Sequence, residues 1–255
     1  MKLKRFCIVL CVLFSVSSGC VGDQFSLVKW ECNHLIAQYM EVEGFFLNTG
    51  YGDRYPHAVI EFAGKNSYPS QDLYDEVMKW INIRPYNDAP HYCGDESYIA
   101  TYNELAQKNG DFGFSQTFSY SVLGDTAEEG DLLSLYGIIA DASLALDKGL
   151  TKIEVTSESD FDQVHPAGKS LNDIAYIEFY SYAESLDTKI NPKTMRDNIM
   201  SKRISDLTAR DIRVIGNRMT IRFPDVATPL KIHDITVTIT FDDGEVVSDS
   251  VQVVF

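Results

Sequence analysis

The sequence predicts a mainly β protein: an antiparallel β-sandwich, with an Ig-like layout among its options and one or two short helices. Three observations lead there. Apolar and polar residues alternate with period two through the second half, ending in Ile235, Val237, Ile239 and Phe241 against Thr236, Thr238 and Thr240. Turn clusters rich in Gly, Pro, Asn and Asp punctuate the chain at short intervals, with few long helical patterns between them. At 45 % apolar and 12 % aromatic over 255 residues, the chain can bury a core, so its net charge of −15 does not imply disorder.

The chain opens on Lys2, Lys4 and Arg5, followed by an apolar run from Phe6 to Val16. A run that short does not span a bilayer, which takes about 20 apolar residues, so residues 1–19 read as a secretory signal peptide. The ending Val16-Ser17-Ser18-Gly19-Cys20 resembles a bacterial lipobox, with Ser17 standing where such a motif usually has Leu. Small residues let a peptidase reach the bond before Cys20, and the Cys20 sulfur takes the lipid. The expectation is a lipid-anchored protein of the cell envelope, at the outer membrane, with residues 20–24 as its tether. Asp23 is the sole acid in that tether, so the periplasmic and the surface-exposed side both stay open.

The acidity argues against nucleic acid and anionic headgroups as partners, because both require a basic face. Cys7 and Cys11 fall in the signal and Cys20 carries lipid, which leaves Cys32 and Cys93. In an oxidising compartment that pair forms a disulfide, closing a loop of about sixty residues worth roughly 4 kcal/mol. The competing reading is two small buried thiols.

Residues 25–255 form one β-rich region, divisible into two subdomains at the acidic, Gly-flanked stretch 124–131. From Phe25 to Asn48 the pattern is mixed. Val28, Cys32, Leu35 and Tyr39 keep helical spacing, whereas alternation from Tyr39 onward favours a strand. Ala58 to Ala63 is a short strand. Ser70, followed by Asp72, Asp75, Glu76 and an apolar face of Leu73, Val77, Trp80 and Ile81, gives the best helix signal. Tyr98 to Tyr102 and Phe112 to Val122 read as strands.

In the second half, Ala142 to Leu146 and Thr151 to Thr156 read as strands around Lys148-Gly149, and Ala175 to Tyr182 as another. Thr194 to Ile204 reads as a short helix. Met219, Ile221 and Phe223 alternate before Pro224. The last two strands meet at Asp242-Asp243-Gly244, the strongest hairpin signal in the chain.

Cys20, the central Thr151-to-Asp162 strand and loop, His165-Pro166-Ala167-Gly168, Ser170-Leu171-Asn172-Asp173 and the Asp242-Asp243-Gly244 hairpin together resemble an uncharacterised family of Bacteroides-type lipoproteins. The resemblance covers about half the chain. It implies export and anchoring, and carries no activity and no functional residue with it.

The chemistry-bearing candidates are few. Glu158, Asp160 and Asp162 before His165 are oxygen-rich enough to ligate calcium, but they lack the Gly and Glu of an EF-hand, and such residues also cap turns. Glu41 and Glu43 share one strand face, as a glycosidase pair could. His34, His57, His91, His165 and His233 show no zinc spacing. Tyr51, Tyr55, Tyr68, Tyr74, Tyr86, Tyr92, Tyr98 and Tyr102 crowd the first half, where rings serve carbohydrate or protein recognition, or edge packing. No catalytic residue, metal or cofactor is assigned.

Three classes of function follow: a non-catalytic binding or accessory module for a glycan or an envelope protein, a fimbria-like structural subunit, and an envelope hydrolase. The first fits the residues best.

Overall fold

The computed structural model describes residues 25–49, 57–75, 96–123, 143–224 and 232–255. The expected signal peptide and tether, residues 1–24 with Cys20, together with Cys93, the 124–131 stretch and Tyr51, Tyr55, Tyr86 and Tyr92, lie outside them.

Period-two burial makes the strands. Along β10 (Ile232–Phe241) exposure alternates residue by residue, with Ile235, Val237 and Ile239 fully buried and the threonines half-buried. That strand pairs antiparallel with β11 (Val246–Val254) through the 242–245 turn, where Gly244 supplies a φ of 88°. On its other side β10 pairs antiparallel with β6 (Leu150–Ser157), giving a three-stranded sheet with β10 at its centre.

A six-stranded sheet packs against it, ordered β5-β2-β3-β9-β7-β8. Its strands are β2 (Gln38–Thr49), β3 (His57–Pro69), β5 (Leu144–Leu146), β7 (Tyr176–Ser181), β8 (Ile199–Arg203) and β9 (Ile215–Arg222). All its pairings are antiparallel except β2 with β5. Val42, Phe45, Ile60, Phe62, Ile177, Met219 and Ile221 from this sheet meet Ile153, Val155, Val237 and Ile239 from the other. That shared core is the sandwich, and the mainly β reading holds.

The six-stranded sheet also has a second covered face. Phe179 joins the inter-sheet core, whereas its neighbour Tyr180 packs with Tyr39, Tyr182 and Val214 beneath two helices. These are α1 (Glu96–Asn109), which contributes Tyr102 and Ala106, and α2 (Ala183–Thr188), which contributes Leu186. β1 (Phe25–Cys32) and β4 (Gln116–Leu123) pair antiparallel as a separate ribbon.

Several local expectations change. Tyr98 to Tyr102 is not a strand but part of α1. Tyr98, Tyr102, Leu105 and Ala106 stand at i, i+4, i+7 and i+8, and Gly110 with a φ of 70° ends the helix. Phe112 to Ser115 is a loop, and the strand begins at Gln116. The strands flanking Lys148-Gly149 belong to different sheets: β5 joins the six-stranded sheet and β6 the three-stranded one. There the chain crosses between layers, and a side chain at Gly149 would meet Arg213 O at 2.5 Å. Thr194 to Ile204 divides into one 3₁₀ turn and strand β8. The Ser70 reading holds at its start: residues 71–75 are helical, and Ser70 Oγ accepts the Leu73 N–H at 3.2 Å.

Candidate ligand-binding groove

Among the described residues, a groove of about 430 Å³ lies between α2 and the β8 edge of the large sheet. Its construction follows from short local rules. α2 ends where Lys189 takes a left-handed φ of 58°, turning the chain outward. The chain then passes Ile190, Asn191 and Pro192. Thr194 and Asp197 form a capping box, with the Thr194 N–H donating to Asp197 Oδ2 at 2.8 Å, and this starts the 3₁₀ turn Met195–Asn198. β8 follows directly.

Ser181, Glu184, Ser185 and Thr188 line one wall; Lys193, Asn198, Ile199 and Met200 contribute to the other. Ser185 Oγ donates to Asn198 Oδ1 at 3.0 Å. Asn198 is only 6 % exposed, and its Nδ2 is buried with no hydrogen-bond partner among the described residues. A buried amide N–H left unpaired costs on the order of 1–3 kcal/mol. Beside it Ile190 is 65 % exposed and Ile199 40 % exposed, so the rim is aliphatic. Polar groups within an apolar wall are the usual chemistry of a binding site.

The residues singled out from the sequence fall elsewhere. Glu41 sits within the first of two irregularities of β2, between Met40 and Val42, and accepts hydrogen bonds from Asn66 Nδ2 and, at 2.9 Å, from Tyr68 Oη. Those bonds hold its carboxyl below the usual range, while burial and the same contact push Tyr68 up to about 12. Glu43 is exposed. The two acids therefore differ in role, and Glu41 is committed to its own strand pair. Tyr98 meets Tyr68 edge-on at 5.4 Å and donates to Asn66 Oδ1, so these rings brace α1 against β3. Tyr102 is fully buried and donates to Ile36 O at 2.6 Å.

Asp160 accepts the Ala167 N–H, and Asp162 accepts the N–H groups of Val164 and His165. Both carboxylates thus tie the 158–168 loop together. The buried His165 ring lies between Asp162 at 2.8 Å and Asp173 at 3.1 Å. Burial disfavours its charge, but the bonds to the two carboxylates outweigh that and raise its pKa. Asp162 and Asp173 are correspondingly held low. Another interior acid, Asp111, accepts the N–H groups of Leu35 at 2.7 Å and Ile36 at 3.1 Å; burial nevertheless raises its pKa.

Among the described residues Cys32 has no disulfide partner. Its thiol is buried, lies 3.7 Å from Ser70 Oγ, and is pushed up to about 11 mainly by burial. Its expected partner, Cys93, lies outside the described residues. Asp243 accepts the Glu245 N–H in the hairpin turn and pairs with Lys148 at 3.0 Å.

Sequence reasoning did not find the groove, because 194–204 reads as one helix. The available signal was the Thr194-to-Asp197 capping spacing, which fixes the turn that runs directly into β8. Compared with protein-family models, curated proteins and solved structures, the chain matches none.

Proposed function

We propose that the protein is a non-catalytic binding or accessory module of the cell envelope, held at the outer membrane by a lipid on Cys20, with its ligand seated in the α2–β8 groove. The observation that carries the reading is the unpartnered, buried Asn198 amide beside an exposed aliphatic rim. A rigid sandwich presenting such a groove suits recognition of a glycan or an envelope protein. The hydrolase alternative has less support, since Glu41, Asp160, Asp162 and Asp111 are each engaged in holding backbone or side chains. The fimbria-like alternative would use β11, an edge strand paired with β10 alone, but it leaves the groove without a role.

The test is a screen of the purified mature protein against glycan and envelope-protein panels, alongside Asn198→Leu. A ligand held by the wild type and lost by the variant supports the reading. Turnover of a panel member, or filaments seen by microscopy, overturns it. For the anchor, Cys20→Ala should abolish processing and release the protein from the membrane fraction. Unchanged processing and fractionation would refute lipidation.

A further inference from the structure

Resting on that reading, we propose that the ligand is an extended acidic peptide segment that adds to the free edge of β8, with an apolar side chain entering the groove. β8 is the terminal strand of the six-stranded sheet, paired on one side only. The register sets which groups face outward. Ile204 N–H bonds Ala175 O, and Arg203 stands opposite Tyr176, so Met200 and Lys202 make the bonds to β7. The peptide groups of Ser201 and Arg203 therefore point away from the sheet, about 7 Å apart, the repeat at which an added strand accepts hydrogen bonds.

The side chains along that edge add selectivity. Ile199 is exposed at the groove end, and Arg203 is exposed at the other, stacked on Tyr176 with its guanidinium carbon 5.4 Å from the ring centre. Between Lys189 and Arg203 the chain has five basic residues and one acid, although its net charge is −15. Lys202 is paired with Asp211 at 3.0 Å, Lys189 lies over the Phe112 ring, and Glu184 and Asp197 line the groove, whereas Lys193 and Arg196 have no ion-pair partner among the described residues, so their charge is unspent. It favours an acidic strand. It disfavours a second copy of the same segment, which carries the same unpaired Lys193 and Arg196. The groove walls bring Ile190, Pro192, Ile199 and Met200 and no aromatic ring. A sugar would want a ring to stack on, whereas an aliphatic side chain of a peptide fits this lining.

Fluorescence anisotropy tests the proposal, using a labelled peptide that carries isoleucine followed by alternating acidic residues, and a counterpart with lysine at each acid. The mature protein should bind the acidic peptide and not the basic one, more weakly as salt rises. Ser201→Pro removes an outward N–H without touching the β7 bonds and should abolish binding. Lys193→Glu with Arg196→Glu should weaken binding roughly fivefold or more. Arg218→Glu, on a different part of the sheet, should leave it unchanged. Circular dichroism checks folding, and if Ser201→Pro does not fold, the charge variants decide. Equal binding of the two peptides, or no loss in the charge variants, overturns the proposal. If a glycan binds instead and Asn198→Leu abolishes that, the groove stands as a site and the peptide assignment falls. If neither class binds, both readings fall.

Discussion

Truncating Ile239 to alanine should destabilise the protein severely, and the structure sets the scale. Ile239 is fully buried in the central strand of the three-stranded sheet, opposite Val247 on one side and Ile153 on the other. Removing three carbons loses about 2.4 kcal/mol of transfer free energy at about 0.8 kcal/mol each. A close-packed site held from both sides and from the facing sheet collapses poorly, so the residual cavity brings the total to about 3–5 kcal/mol. Ile239→Val should cost about 1 kcal/mol.

Thr238 points to the other face, where its hydroxyl shares a 2.8 Å hydrogen bond with Ser248. The bond lies at an exposed surface, so Thr238→Ala should cost within about 1 kcal/mol. Urea unfolding of the mature chain, followed by tryptophan fluorescence and circular dichroism together, measures both. Equal costs at 238 and 239 would refute the register, because a one-residue slip exchanges the two faces.

The His165 cluster should make stability pH-dependent. The pKa of His165 is raised above its ordinary 6.5, so its contribution is fully present below 6.5 and is lost as pH rises through the folded value. Asp162 and Asp173 are lowered from 3.8, so theirs is present above 3.8 and is lost as pH falls. The urea midpoint of wild type relative to His165→Gln should therefore be larger near about pH 5 than near about pH 8; a flat difference would refute the ion-pair assignment. Ser70→Ala should cost about 1 kcal/mol, since its hydroxyl caps the Leu73 N–H and no other side chain replaces it. Cys32 should resist thiol reagents in the native protein and react after denaturation without reductant. Absence of that late reaction would mean that it is bridged to Cys93.

The closing hairpin was legible from residues alone. Period-two alternation of β-branched side chains around Asp242-Asp243-Gly244 is a local signal, and Gly244 is needed for a local reason, its positive φ. The Ser70 cap was equally local, since the serine and the N–H it accepts are three residues apart. Where neighbours far along the chain decide, the sequence fell silent. Thr151 to Thr156 was readable as a strand, but only the tertiary structure placed it beside β10 rather than beside β5. Tyr98 and Tyr102 carry high strand propensity, yet a helix wins because it buries Tyr102 on Tyr39 and Ile36 while Tyr98 reaches Tyr68. The groove is the clearest such case. Ser185 and Asn198 belong to a helix and a 3₁₀ turn whose approach is set by the fold, and β8 has a free edge only because five other strands precede it in the sheet. The strand pattern is written in local residue order. Which strands become neighbours, and which edge is left open, is decided by packing between residues distant in sequence.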